Sequence, residues 1–139
     1  IIQKCAKLKQ AFEIEGQHFT CVERAPAEYI VQAAGYTALA GDATFANGRV
    51  AALQIDGQCH LASFGAAQNA ESLLDSATDD LAACNLAALR MQQEGGGTVR
   101  MSGLSALSGT LVVPQRVIFK GTSKFFANPF TNNEVRPAG

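Results

Sequence analysis

The chain has 139 residues, 47% of them hydrophobic and 17% charged, with a formal net charge of −1. That size suits one modest domain or two small ones, and the apolar fraction is enough for a core, which excludes wholesale disorder. Charge this sparse leaves no basic stripe, so nucleic acid is not an expected partner, whereas neutral sugars or further copies of the chain are. A nearly uncharged surface rich in Ala and Gly also fits an obligate oligomer.

No run approaches the roughly 20 continuous apolar residues of a membrane span, so no membrane is expected. The N-terminal run, residues 1–9, mixes lysines with apolar residues and lacks the core of a secretion signal. It begins without Met, as expected of a cleaved chain or a portion of a longer one. The cysteines Cys5, Cys21, Cys59 and Cys84 are widely and irregularly spaced, with no C-x-x-C pair of the kind a zinc site uses. Two disulfides would fit a secreted protein. Free buried thiols are the favoured reading.

In chain order, residues 1–10 fit a short amphipathic helix or a lead-in. Phe12-Glu-Ile-Glu and Phe19-Thr-Cys-Val alternate apolar and polar around Gly16 and predict a hairpin. Pro26 interrupts, and the run from Glu28 resumes as a strand. Ala34-Gly35 and Ala40-Gly41 read as turns. Asn47-Gly48 between strand-like runs is a strong hairpin signal, since both residues tolerate the positive φ of a type I′ turn. Asp56-Gly57 repeats the device before Gln58, so residues 12–64 read as a small antiparallel unit, too thin to stand without a partner.

From Gly65 to Ser76 the composition shifts to Ala, Gln, Asn and Ser, as in a linker. Thr78 or Asp79 can then cap a helix, and Asp79 and Asp80 complement its dipole. Leu81, Cys84, Ala88 and Met91 fall on one side and Ala82, Leu86 and Leu89 on the next, a broad apolar face. Gly95, Gly96 and Gly97 end the helix. Strands follow at Thr98-Val-Arg-Met, Thr110-Leu-Val-Val and Val117-Ile-Phe-Lys, spaced by small-residue turns. This is the rhythm of a parallel β-helix, whose open end an amphipathic helix can plug. The tail, residues 123–139, keeps three phenylalanines but loses periodicity.

Thr78-Asp-Asp-Leu-Ala-Ala, Gly96-Gly-Thr-Val, Ser108-Gly-Thr-Leu-Val-Val-Pro and Val117-Ile-Phe-Lys-Gly resemble the start of the pectate-lyase-like β-helix of bacteriophage tailspikes and polysaccharide depolymerases. Upstream, Glu23 to Tyr36, Gly41 to Ala51 and Leu53 to Gly57 resemble the neck before that β-helix. Phe64-Gly-Ala is similar to the W-F-G-A that marks the passage between them. The resemblance covers about residues 20–121. It departs at the long loop Ala67–Ala77, where the family is short and contains D-G, and at Ser102-Gly-Leu-Ser-Ala, which replaces P-x-G-x-Y.

The expected fold is therefore mainly β: an N-terminal lead-in and antiparallel neck over 1–64, then over 65–139 a linker, a capping α-helix and the first coils of a right-handed parallel β-helix. The resemblance implies a homotrimer in the virion, made in the host cytoplasm. It would join other phage tail proteins and meet a bacterial surface polysaccharide through downstream coils. A portion of a free carbohydrate-active lyase or hydrolase is the alternative.

No catalytic, cofactor-binding or metal residue is assigned. The residues singled out are structural: Thr78, Asp79, Asn47, Gly48, Gly96 and Gly97. Asp79-Asp80 as a glycosidase pair is disfavoured, because adjacent helical residues diverge. Glu13 and Glu15 would share a strand face as solvated carboxylates. His18 and His60 with Cys21 or Cys59 lack the spacing of a metal site, and Lys4, Lys7 and Lys9 read as a solvated face. Gly95 to Gly97 follow a helix instead of opening one, which argues against phosphate binding.

Overall fold

The structure is a computed structural model and describes residues 2–5, 11–14, 16–20, 27–70, 76–121, 125–126 and 135–138. It is mostly β, in small sheets, with one long helix. The strands are β1 (Ile2–Cys5), β2 (Ala11–Ile14), β3 (Gln17–Thr20), β4 (Ala27–Val31), β5 (Ala43–Thr44), β6 (Val50–Leu53) and β7 (Gln58–His60). After a 3₁₀ turn (Leu61–Phe64) and the helix α1 (Leu81–Gln93) come β8 (Gly97–Met101), β9 (Ser105–Ala106), β10 (Leu111–Val113), β11 (Val117–Gly121), β12 (Phe125–Phe126) and β13 (Val135–Pro137).

Up to β6 every pairing is antiparallel. β2 and β3 form the hairpin expected around Gly16, with Phe12 opposite Phe19. A second sheet has the order β1-β4-β6-β5. Its first strand corrects the expectation of a helix or loose lead-in. Ile2 to Cys5 pair with Ile30 to Ala27, because β4 offers an edge whose backbone groups need partners. The Asn47-Gly48 hairpin is present with a different turn. Gly48 has φ +84° while Asn47 stays negative, and the Phe45 carbonyl accepts from Gly48 N–H while Phe45 N–H donates to Arg49. That is a three-residue loop with a glycine bulge instead of type I′.

After β6 the pairing changes sense. β7, β8 and β11 form a parallel sheet in the order β11-β8-β7, with Cys59, Val99 and Phe119 in one row. The hairpin expected at Asp56-Gly57 is therefore corrected: β7 leaves the antiparallel unit and lies beside a strand some forty residues later. β9 pairs in parallel with β12, and β10 with β13. The stretch expected to be a linker is also drawn in. Asn69 bridges to Leu104, the Ala70 N–H donates to the Leu104 carbonyl at 3.0 Å, and Ala66 and Ala70 are buried. Alanines fit where larger side chains would not.

Helix α1 ends as its glycines predict. Gly95 N–H bonds to the Gln92 carbonyl and Gly96 N–H to that of Met91, the paired closure of a Schellman motif. Gly96 and Gly97 do more than stop the helix. A Cβ on Gly97 would lie 2.3 Å from Met91 Cε and 2.6 Å from the Gly57 carbonyl oxygen, and one on Gly96 would lie 2.8 Å from Arg116. They let β8 enter between its neighbours.

The buried face of α1 is narrower than its apolar pattern. Ala83, Cys84, Ala87, Ala88 and Met91 are buried, while Leu86 and Leu89 remain 42% and 44% exposed. One core runs through residues on both sides of Phe64, from Tyr29 and Leu53 through Leu61, Cys84 and Met91 to Val99, Leu107 and Leu111. Each large side chain fully buried there is worth roughly 1.5–3 kcal/mol.

One polar group crosses this core. Arg90 is 3% exposed, and its Nη1 meets Asp42 Oδ1 at 2.6 Å and the Ala40 carbonyl at 2.8 Å. Nη2 donates to the Leu53 carbonyl at 2.7 Å and Nε to Glu94 at 2.9 Å. Asp42 also accepts from the N–H groups of Leu39 and Leu53. Replacing Arg90 by Met strands the Asp42 carboxylate in the core. Urea unfolding of Arg90→Met should show a loss of about 3–5 kcal/mol, with Arg90→Lys intermediate because an ammonium cannot reach all the acceptors.

Candidate functional site

Two places gather chemistry-bearing side chains: the entry to α1 and the outward face of β7-β8-β11. At the first, each residue of the Thr78-Asp79-Asp80 run serves a different loop. Thr78 does not cap the helix. Its N–H donates to Asn69 Oδ1 and its hydroxyl accepts from Asn69 Nδ2, both at 2.9 Å. Asp79 accepts from the Leu81 N–H at the helix start, and from the N–H and hydroxyl of Ser108. Asp80 is 1% exposed and accepts from the N–H groups of Ala67 and Gln68 at 2.8 and 2.9 Å. Gln68 in turn accepts from Ser102 and Gly103 N–H. The two carboxylates point into separate backbone nests, so this junction ties loops together and is not laid out as an acid–base pair.

Burial pushes the Asp79 carboxyl up, but the hydrogen bonds from Ser108 and Leu81 outweigh it and hold the group below its ordinary 3.8. A carboxyl depressed in the folded state stabilises the fold above that value, and the contribution is lost as pH falls through the folded value. Asp79→Asn should therefore be less stable than the parent at neutral pH, with the gap closing in acid unfolding as pH falls below 3.8.

The second place follows from strand alternation and the parallel register. Cys59, Val99 and Phe119 turn to the core. Gln58, Thr98 and Ile118 form one outward row, and His60, Arg100 and Lys120 the next. Arg100 Nη1 reaches back to Gln58 Oε1 at 3.3 Å. A cavity of about 220 Å³ opens here, lined in part by Leu53, Gln54, Gln58, His60, Ser63 and Arg100. His60 sits at its edge as the cap of the 3₁₀ turn, with Nδ1 accepting from the Ala62 N–H at 3.1 Å.

The cavity is built to bind more than to react. Cys59 also lines it, but burial, only partly offset by the Arg90 charge, pushes its thiol up to about 12. Burial, with the charges of Asp80 and Asp79 adding to it, pushes Cys84 up to about 12 as well. Both are free thiols. Cys5 lies in β1, and Cys21 falls outside the described residues, as do Glu15, Lys7 and Lys9. Glu13 and His18 face each other across the β2–β3 hairpin, both exposed and far in sequence from His60. Among the described residues no group of three or more His, Cys, Asp or Glu side chains is placed to hold a metal ion.

The residues that matter most at both places carried no motif. Arg100 and Lys120 looked like single charges in short strands, and Gln68 and Asn69 like linker. Only strand alternation hinted at the outward placing of Arg100. Comparison with protein-family models, with curated proteins and with solved structures finds no match to this chain.

Between the ordinary thiol value of 9.0 and about 12 the unfolded chain loses protons that folded Cys59 and Cys84 keep. Stability should accordingly fall as pH rises through that window, and Cys84→Ala should flatten the fall. At pH 8 a thiol-reactive disulfide reagent should modify both cysteines at least roughly a hundredfold more slowly in the native protein than in denaturant.

Proposed function

We propose that the chain is the neck and β-helix entrance of a trimeric phage tailspike. It would connect the virion-attachment part to coils that bind or degrade a host polysaccharide. The observation that carries this reading is the near-constant offset of the parallel pairings. Gly97 lies opposite Val117 and Ser105 opposite Phe125, both 20 residues apart, and Leu111 lies opposite Val135, 24 residues apart. One strand of each successive segment thus stacks on its counterpart one repeat later. That is the pairing rule of a coiled parallel sheet, in which each turn contacts its neighbours. Parallel crossovers are right-handed almost without exception, which supports right-handed coils.

The other elements fit the same reading. The antiparallel sheet precedes the stacked strands, as a neck would. Helix α1 packs its small residues against the 3₁₀ turn, β8 and β10, as an end cap would. Asp79 and Asp80 serve as loop anchors, consistent with a segment that positions an active surface without being one. Assembly into a trimer is supported by the apolar side chains left outside: Leu86, Leu89, Val112 and Ile118, the last 59% exposed. Sequence 81–89 carries no charge at all, so this face of α1 can meet a copy of itself without like-charge repulsion.

Light scattering coupled to size exclusion tests the assembly. The expected mass is three times the 14.6 kDa of one chain. A stable, well-folded monomer would overturn the reading.

A further inference from the structure

The outward row of His60, Arg100 and Lys120 has charge without counter-charge. Neighbouring strands in a sheet lie about 4.8 Å apart, so the parallel register brings the bases of Arg100 and Lys120 within one strand spacing of each other. Like charges set side by side on a sheet are destabilising. Among the described residues neither has an ion-pair partner, and Asp56, in the turn before β7, pairs with neither. The contrast is with Arg90, whose donors are all directed at carboxylates and carbonyls. Arg100 makes one contact, with the side-chain oxygen of Gln58, which leaves most of its planar fork of donors available.

We propose that this row and the adjoining cavity form a binding site for an oxyanion: a carboxylate, phosphate or sulfate group, free or carried on a small ligand. Arg100 stands on the central strand and supplies the paired N–H donors that match two oxygens of such a group. Lys120 adds a second positive charge from the edge strand. The cavity beside Arg100 takes the body of the ligand, with amide and hydroxyl donors from Gln54, Gln58 and Ser63 along its wall. Gln58 engages its carbonyl oxygen with Arg100, so the amide N–H groups are what it offers a ligand. The Nδ1 of His60 is occupied by Ala62, so that nitrogen presents no lone pair to repel an anion. Leu53 and Ala27 give the wall an apolar share. At about 220 Å³ the cavity is smaller than a drug-sized pocket and suits a single small unit.

The proposal is independent of the tailspike reading, since a monomeric chain with no phage origin would bind in the same way. The test is thermal unfolding and calorimetric titration with sodium phosphate, sodium acetate and sodium glucuronate, each against sodium chloride of matched ionic strength. At least one of the three should raise the melting temperature saturably above the chloride control. Preference for phosphate identifies a phosphoryl group. Preference for glucuronate over acetate identifies a carboxylate on a sugar-sized body held by the cavity.

Arg100→Gln should weaken the binding about tenfold and Lys120→Gln about threefold, with far-ultraviolet dichroism unchanged because both side chains are exposed. Arg100→Lys, which keeps the charge and loses the fork, should still weaken it several-fold. Stabilisation no greater than that by chloride, or wild-type affinity in both Arg100 variants, would overturn the proposal.

Discussion

The ion pair between Arg90 and Asp42 is the interaction on which the rest of the fold depends. It joins the antiparallel sheet, through Asp42 and the Leu53 end of β6, to the last turn of α1. The helix face that meets the core is mostly alanine and cysteine, which bury little area and specify position weakly. A guanidinium that must satisfy several buried acceptors together has only one acceptable placement. Burial opposes its charge, but the bonds from Glu94 and Asp42 raise its affinity for the proton, so it stays charged in the core. Asp42 is held just as tightly by the backbone of Leu39 and Leu53. The pair fixes the geometry more than it adds net stability, because both ions were well solvated before folding.

A second constraint is how closely the backbone must pass itself where the parallel strands stack. Gly97 N–H reaches the Arg116 carbonyl, and Thr98 N–H the Gly57 carbonyl. Neither approach leaves room for a side chain at Gly97. The buried carboxylate of Asp80 and the amide of Gln68 do the complementary work in the 65–70 stretch. They satisfy backbone donors of loops that would otherwise be buried without partners. Polar side chains therefore shape the interior here as much as apolar ones.

Local features were legible where the controlling forces are local. The two hairpins around Gly16 and Asn47-Gly48, the helix over 81–93 and the strands near 98, 111 and 117 all follow from alternation, helical spacing and glycine placement. The misreadings share a cause. β1 looked helical because its pattern is weak and its partner lies twenty-odd residues away. Gln58 to His60 looked like the return strand of a hairpin, because nothing local distinguishes a strand that folds back from one that waits for a distant partner. Gln68 and Asn69 looked like linker because polar, small-residue stretches carry no period, although their side chains bind backbone far along the chain. The face formed by Gln58, His60, Arg100 and Lys120 was illegible for the same reason.

By itself, then, the sequence determined the element types, the helix end at Gly95 to Gly97 and the mainly β character, because these rest on contacts within a few residues. The tertiary structure alone decided which strands pair in parallel, which polar residues are buried and which cations share a surface. Those outcomes depend on pairings across 20 to 40 residues, where the free energy comes from packing and from satisfying backbone groups of segments that have no local reason to meet.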